Sequence, residues 1–328
     1  MRRLKSHKAP RAFQRLRREN SAKLSGRIRR LEELDLARLS QAQVGERLGR
    51  ILDGFALRPV NFATERVFRA RIETEARPFS KASELWYPPP EVAGAGRFNY
   101  PGKPVFYAAS TLNAALWECR PKPGDTIEAL VCATLGPHAE LEVAHIGLQN
   151  FRGNRRGASD FPDITSDASF RSLLRSMALD RKWNRVERFL STATGMEEEK
   201  RPGLFKLTRE IGRVLMEMAQ TTGMLYPSIA ADRAAFNLCL HTSAADRFFF
   251  PAEVWRFKIN AIHPNLEGAA PSKPGHLETA PLARSNAVLN DGQIEWLEGF
   301  EESPLHDLAT LEQRVAASRS KKLSKKED

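Results

Sequence analysis

Two periods of apolar residues run through this chain, and their mixture constrains the fold more than any other feature. Between Ala22 and Leu57 the residues Leu24, Ile28, Leu31, Leu34, Leu36, Leu39, Val44, Leu48, Ile51 and Leu52 recur at helical spacing. That pattern predicts one or two helices, broken near Ser40 and ended before Pro59. Helical patterns return over residues 169–190 and 204–222, the second with Ile211, Val214, Leu215 and Met218 in register and Gly223 as its stop. Between them lie short runs of strand length: Arg66–Ile72, Pro104–Ala108, Ile127–Leu135, Glu140–His145, Met224–Ile229, Phe236–Leu240 and Val254–Ile262. Asn290-Asp291-Gly292 suits a hairpin turn within residues 287–296. Ser110 is placed to cap a helix running to Glu118. Strands and helices in this arrangement make an α+β protein. Residues 75–102, rich in Pro and Gly, form a long loop, and loops of that length inside a domain are often functional. Residues 150–165 also read as loop.

At 328 residues with 41% apolar composition, the chain can bury a sizeable core and is not a disordered polymer. Its length allows one large domain or two ordinary ones. The three cysteines, Cys119, Cys132 and Cys239, contain no CxxC pair, which argues against a disulfide framework or a Cys-rich zinc site. Cys119 and Cys132 read as packing residues. No apolar run approaches about 18 residues, so no membrane span is expected. The basic N-terminus has no apolar core of a secretory signal, so a cytoplasmic location is expected.

The net charge of +11 sits at the ends. Residues 1–50 carry a net +10 and residues 319–328 a net +3, which leaves the body at −2. The first 20 residues read as polar and frayed. The N-terminal segment is thus either a solvated basic helix or an arm that touches nucleic acid or an acidic partner without reading sequence. The seven histidines show no metal-ligand spacing, and neither a Gly-rich phosphate loop nor a GxSxG elbow is present. No metal is expected.

Chemistry concentrates in one block. Arg97 sits in a Gly-flanked loop, Tyr107 at the end of a strand and Glu118 in the last turn of the helix that follows. An arginine, a phenol and a carboxylate from three successive elements can converge on one cleft. Further on, Tyr226-Pro227-Ser228 brings a hydroxyl to a strand end, with Asn237 beyond it.

The runs GRFNYPGKPVFYAASTLNAALWE (Gly96–Glu118) and GMLYPSIAADRAAFNL (Gly223–Leu238) resemble the RES-domain family, named for an arginine, a glutamate and a serine. VFRARI resembles the family's opening strand, with its arginine at Arg69 and Arg71 as the second choice. The resemblance extends over roughly residues 65–263. It implies an ADP-ribosyltransferase-like split β-sheet core with flanking helices, and a site for NAD as substrate. It also implies a toxin of a toxin–antitoxin pair that releases nicotinamide, with phosphate or water as acceptor. Relatives of this kind also transfer ADP-ribose to proteins, and their usual partner is a helix-turn-helix antitoxin that blocks the cleft. A non-catalytic nucleic-acid-binding or regulatory module is the alternative from another class. The chain then divides into a basic helical extension (1–58), a catalytic domain (59–318) with a helical insertion at about 150–222, and a basic disordered tail (319–328).

On that resemblance Glu118, Arg97 and Tyr107 are the catalytic candidates, and Arg69, Arg97, Tyr107, Ser228 and Asn237 the NAD-binding ones. Cleaving the nicotinamide–ribose bond builds positive charge near C1′, as in glycoside cleavage. Arginines suit the pyrophosphate, Tyr107 a nicotinamide wall, Glu118 the developing charge and Ser228 a ribose hydroxyl or phosphate. Each also has a structural alternative. Arg97 can bind loop carbonyls, Arg69 can pair with a carboxylate, and Tyr107 can be a core aromatic. Glu118 can be solvated, and Ser228 and Asn237 can serve turns.

Overall fold

The computed structural model describes residues 11–55, 60–74, 77–135, 139–147, 175, 178–219, 221–231, 235–263 and 276–297. Three helices open the chain: α1 (Arg11–Arg18), α2 (Ser21–Glu33) and α3 (Gln41–Leu52). The break falls near Ser40 as expected, because the Ser40 hydroxyl and the Gln43 side chain form a reciprocal capping box that starts α3. The expected fraying does not hold over residues 11–18, where α1 forms and Leu16 is fully buried.

Among the described residues ten strands follow: β1 (Val60–Thr64), β2 (Arg66–Ile72), β3 (Val105–Ala109), β4 (Thr126–Thr134), β5 (Ala139–His145), β6 (Gly223–Pro227), β7 (Phe236–His241), β8 (Phe249–His263), β9 (His276–Val288) and β10 (Ile294–Trp296). The helices among them are α4 (Leu112–Glu118), α5 (Asp180–Thr194), α6 (Leu204–Ala219) and α7 (Thr242–Phe248). The protein is α+β, with a mixed sheet in the order β1-β5-β6-β7-β3-β2-β4-β8-β9-β10. Strands β5 and β6 run parallel, and the other neighbouring pairs are antiparallel. The Asn-Asp-Gly turn joins β9 to β10, with Gly292 at φ +82°.

Several local expectations are corrected. Thr111, not Ser110, caps α4 by accepting from Ala114 N, while the Ser110 hydroxyl accepts from Phe236 N in β7. Gly223 does not stop a helix; it begins β6, where a Cβ would lie 2.3 Å from the Cys239 carbonyl oxygen. Of the helix expected over 169–190, residues 169–174, 176 and 177 lie outside the described residues, and α5 runs from Asp180 past the expected end to Thr194, following Ala178 at φ +54°. Strand β1, helix α7 and strand β9 before its hairpin end were not anticipated. Residues 1–10, 150–165 and 319–328 lie outside the described residues.

The sheet nearly parts in the middle. Strand β2 pairs with β4 along its whole length, and β3 pairs with β7 likewise, but β2 and β3 share one register pair, Phe68 opposite Ala109. Buried backbone groups need partners, so an opened ladder must be satisfied another way. Arg69 of β2 does this. Its Nη1 donates to the Tyr107 carbonyl of β3 (2.8 Å), and its Nε donates to the carbonyls of Leu85 (2.9 Å) and Trp86 (3.1 Å).

Packing differs on the two faces of this seam. Phe106 and Ala108 of β3 join a cluster that spans both half-sheets with Val67, Leu130, Leu238 and α7 residues Ala244 and Ala245. On the opposite face Val105 and Tyr107 pack with a cluster made by α2, α3, α5 and α6, whereas Ala109 joins a separate one around α4, Phe68 and Trp255. One face is sealed and the other carries two cores with a gap between them.

The first helices brace the second helical layer through that core. Their terminal carbonyls are satisfied by cations of the later segment. Lys182 Nζ binds the Leu16 and Arg17 carbonyls, Arg201 binds that of Leu31, and Lys206 binds those of Leu36, Ala37 and Leu39.

Two predictions follow from this frame. Arg69→Met strips donors from three carbonyls and costs about 3 kcal/mol, read as a lower midpoint of chemical denaturation. An unchanged midpoint would contradict the seam's dependence on Arg69. The second concerns Glu128 of β4, which is fully buried, accepts from Phe79 N at 2.9 Å and lies beside the Glu73–Arg256 ion pair. Burial first, then the neighbouring Glu73, pushes its carboxyl up to about 8, although the Phe79 bond opposes this. A raised folded-state value means stability is full below the unfolded value and is lost as pH rises toward 8. The wild type should therefore melt lower at pH 9 than at pH 5, and Glu128→Gln should shrink that difference. An equal difference in both proteins would contradict the assignment.

Candidate active site

The loop before β3 is shaped around Tyr107. The Tyr107 hydroxyl accepts from Phe98 N at 2.9 Å and donates to Asn99 Oδ1 at 3.0 Å. Asn99 is buried, and its Nδ2 donates to the carbonyls of Gly94 and Tyr100. Gly96 is required by this close approach, because a Cβ there would sit 2.2 Å from Asn99 Oδ1 and 3.0 Å from Tyr107 Oη. Burial holds the Tyr107 phenol well above its ordinary range, so it works as a neutral group.

Arg97 in the same loop reaches the second helical layer. Its Nη1 donates to the carbonyls of Thr194 (3.1 Å) and Met196 (3.0 Å), and its guanidinium lies 5.3 Å from the Phe205 ring centre. Thr208 of α6 in turn donates to the Arg97 carbonyl at 2.6 Å. The carbonyl-binding role open to Arg97 from sequence is therefore real, and it fixes one end of the guanidinium. Its Nε and Nη2 have no hydrogen-bond partner among the described residues. Arg69 pairs with carbonyls rather than with a carboxylate, and burial lowers its pKa.

Glu118 ends α4, whose Leu112, Ala114, Ala115 and Leu116 bury the helix against β2 and β4. One carboxylate oxygen, Oε1, accepts from Ser228 Oγ and from Asn237 Nδ2, both at 2.6 Å. Ser228 follows β6 and is fully buried, and its hydroxyl also accepts from Ala231 N at 3.1 Å. Asn237 of β7 lies opposite Tyr226 of β6. The two donors come from neighbouring strands and hold the carboxylate in one orientation. Glu118 Oε2 takes no hydrogen bond among the described residues. Asn237, only 4% exposed, has an Oδ1 with no hydrogen-bond partner among the described residues.

These groups meet at the gap between the two cores. A cavity of about 550 Å³ opens there, within the range of small-molecule sites. Arg69, Arg97, Tyr107, Glu118 and Asn237 all line it. Ser228 does not; it stands behind Glu118 and acts on its orientation. Arg71, the second choice in the opening strand, does not line it and instead donates to the Glu84 carbonyl. Cys119 lies in the wall with its thiol pushed up to about 12 by burial, which fits the packing role read from sequence.

The remaining wall was not anticipated. Tyr226 comes from β6, and Phe205 and Glu198 from the segment opening α6. Glu198 is committed locally, accepting from Gly203 N and Phe205 N. Arg120 and Glu199 face each other across the rim as an ion pair at 2.7 Å. Arg120 stands two residues past Glu118 and was not singled out from the sequence; nothing in the sequence marks Phe205, Glu198 or Glu199.

Gly96→Ala should force Asn99 from Tyr107 and cost about 1–3 kcal/mol as a crowding substitution. A melting temperature equal to the wild type would contradict this packing.

A family model described as RES domain matches residues 66–260, more than half of the chain. The match opens at the first residue of β2 and ends within β8, so it contains every sequence-predicted site residue. No curated protein matches the chain.

Proposed function

The chain belongs to the RES-domain family, and from that premise we propose that its seam cavity binds NAD and cleaves the nicotinamide–ribose bond. RES domains are known for NAD-related toxin–antitoxin function. The observation that carries the finer reading is the Glu118 carboxylate, with Oε1 pinned by Ser228 and Asn237 and Oε2 unengaged in a cavity flanked by Arg69 and Arg97. The near-division of the sheet supports an ADP-ribosyltransferase-like reading of the core.

In the reaction the C1′–N bond breaks and its electron pair neutralises the pyridinium nitrogen. Positive charge builds on the ribose, and an oxygen of phosphate or water forms the new bond to C1′, water releasing a proton to solvent. Glu118 Oε2 holds the ribose and faces that charge, and its fixed orientation needs no rearrangement during the step. Tyr107 supplies a rigid aromatic wall for the nicotinamide. Asn237 Oδ1 accepts from a ribose hydroxyl or the carboxamide, which satisfies the orphan oxygen. Arg69 and Arg97, held in place by their carbonyl bonds, present their unengaged N–H groups to the diphosphate side of the cavity. As a toxin, the protein would be held silent by a helix-turn-helix antitoxin that covers the cavity.

The test is incubation of the purified protein with NAD, with and without phosphate, and identification of the products by mass. Free nicotinamide with ADP-ribose, or with its phosphorylated form, supports the reading. Label transferred to a protein would make the chain an ADP-ribosyltransferase instead. Glu118→Gln should keep the fold and lower kcat by about 10²–10³-fold. Normal turnover by the folded variant would contradict the role of Glu118.

A further inference from the structure

We infer that Arg120 is the diphosphate-binding arm of the cavity and that Glu199 occupies it until substrate arrives. The inference rests on the NAD reading above and adds a residue and a means of substrate entry to it. Its ground is the contrast among the three arginines that line the cavity. Arg69 is fixed by three carbonyl bonds and Arg97 by two, so neither can travel toward a ligand. Arg120 is held on its guanidinium by Glu199 alone among the described residues, at 2.7 Å. Both side chains of that pair are well exposed, at 57% and 64%. A solvated pair of this kind is weakly held and exchanges readily.

The backbone at Arg120 makes the same point. Arg120 follows the last turn of α4, its N–H bonds the Trp117 carbonyl, and its φ is +50°. That left-handed position after a helix ordinarily takes glycine. An arginine there is unfavourable for the fold, and its side chain is carried over the cavity rim two residues from Glu118. Strain of this sort concentrates at functional sites.

Charge completes the case. The cavity wall holds Arg69, Arg97 and Arg120 against Glu118, Glu198 and Glu199. Glu198 is locked by two backbone N–H groups, and Glu118 is locked by Ser228 and Asn237. Glu199 is the one carboxylate of the three free to swing outward. A diphosphate that replaces it on Arg120 exchanges one anion for another, accepts a forked pair of bonds, and removes a negative charge from the rim.

The experiment measures ADP-ribose binding by calorimetry and NAD kinetics for the wild type, Arg120→Gly and Glu199→Gln. Arg120→Gly should weaken ADP-ribose binding by about tenfold or more, with the loss in NAD turnover falling on KM rather than kcat. Its melting temperature should equal or exceed the wild type, because glycine suits the left-handed position; a lower one would make Arg120 structural and overturn the inference. Glu199→Gln should tighten ADP-ribose by about two- to fivefold. ADP-ribose affinity unchanged in Arg120→Gly, in a protein that still cleaves NAD, would overturn this inference and leave the reaction standing. Arg120-dependent ADP-ribose binding without NAD cleavage would do the reverse. Neither binding nor cleavage by the wild type would overturn both.

Discussion

The structure depends on how two strands that nearly separate are kept together. Where β2 leaves β3, the Tyr107 carbonyl of β3 has no ladder partner in β2, and the buried guanidinium of Arg69 takes that place while tying down the loop carbonyls of Leu85 and Trp86. An arginine can do this because its donors fan out in a fixed plane and reach Leu85, Trp86 and Tyr107 at once. Lysine, a point charge on a flexible stem, lacks that planar spread of donors. The gap that results is a place where a ligand can enter the sheet without breaking it. One continuous cluster seals its far side, and two separate cores form its walls.

The parts of the site then follow from what each core positions. The core around α4 delivers Glu118, and strands β6 and β7 deliver Ser228 and Asn237 to hold it. The helical core delivers the wall bearing Phe205 and the carbonyls that fix Arg97. That wall is braced from behind by the first helices. Glu210 of α6 takes bonds from Gln41 of α3, from Tyr100 of the Arg97 loop and from Arg213. The N-terminal segment, basic in composition, is therefore coupled through packing to the loop that carries the site, whatever its exposed charges contact.

Much of this was legible in the sequence, for identifiable reasons. Strand-length apolar runs located seven of the ten described strands, most of them within a residue or two, the Asn-Asp-Gly turn marked where β9 meets β10, and the helical pattern broke near Ser40, where α3 starts. Arg69, Arg97, Tyr107, Glu118 and Asn237 were singled out on a family resemblance, and the cavity brings them together. What failed was local. Ser110 and Thr111 are both good caps, and only the bond from Ala114 N decides between them. Gly223 looks like a helix stop until the strand that packs against it is known. Ser228 was given to the ligand, but it serves Glu118. Phe205, Glu199 and Glu198 carry no signal because their place depends on how a distant segment folds back over the seam.

The central claim is that a dinucleotide lies in the gap between the half-sheets with its reacting ribose on Glu118. The most direct measurement is a crystal structure of the full chain carrying Glu118→Gln, grown with NAD, in which turnover is too slow to empty the site. The account predicts the nicotinamide against Tyr107, its ribose within hydrogen-bond distance of residue 118 and Asn237, and the diphosphate among Arg69, Arg97 and Arg120. A dinucleotide bound elsewhere, or one whose ribose points away from residue 118, would contradict it.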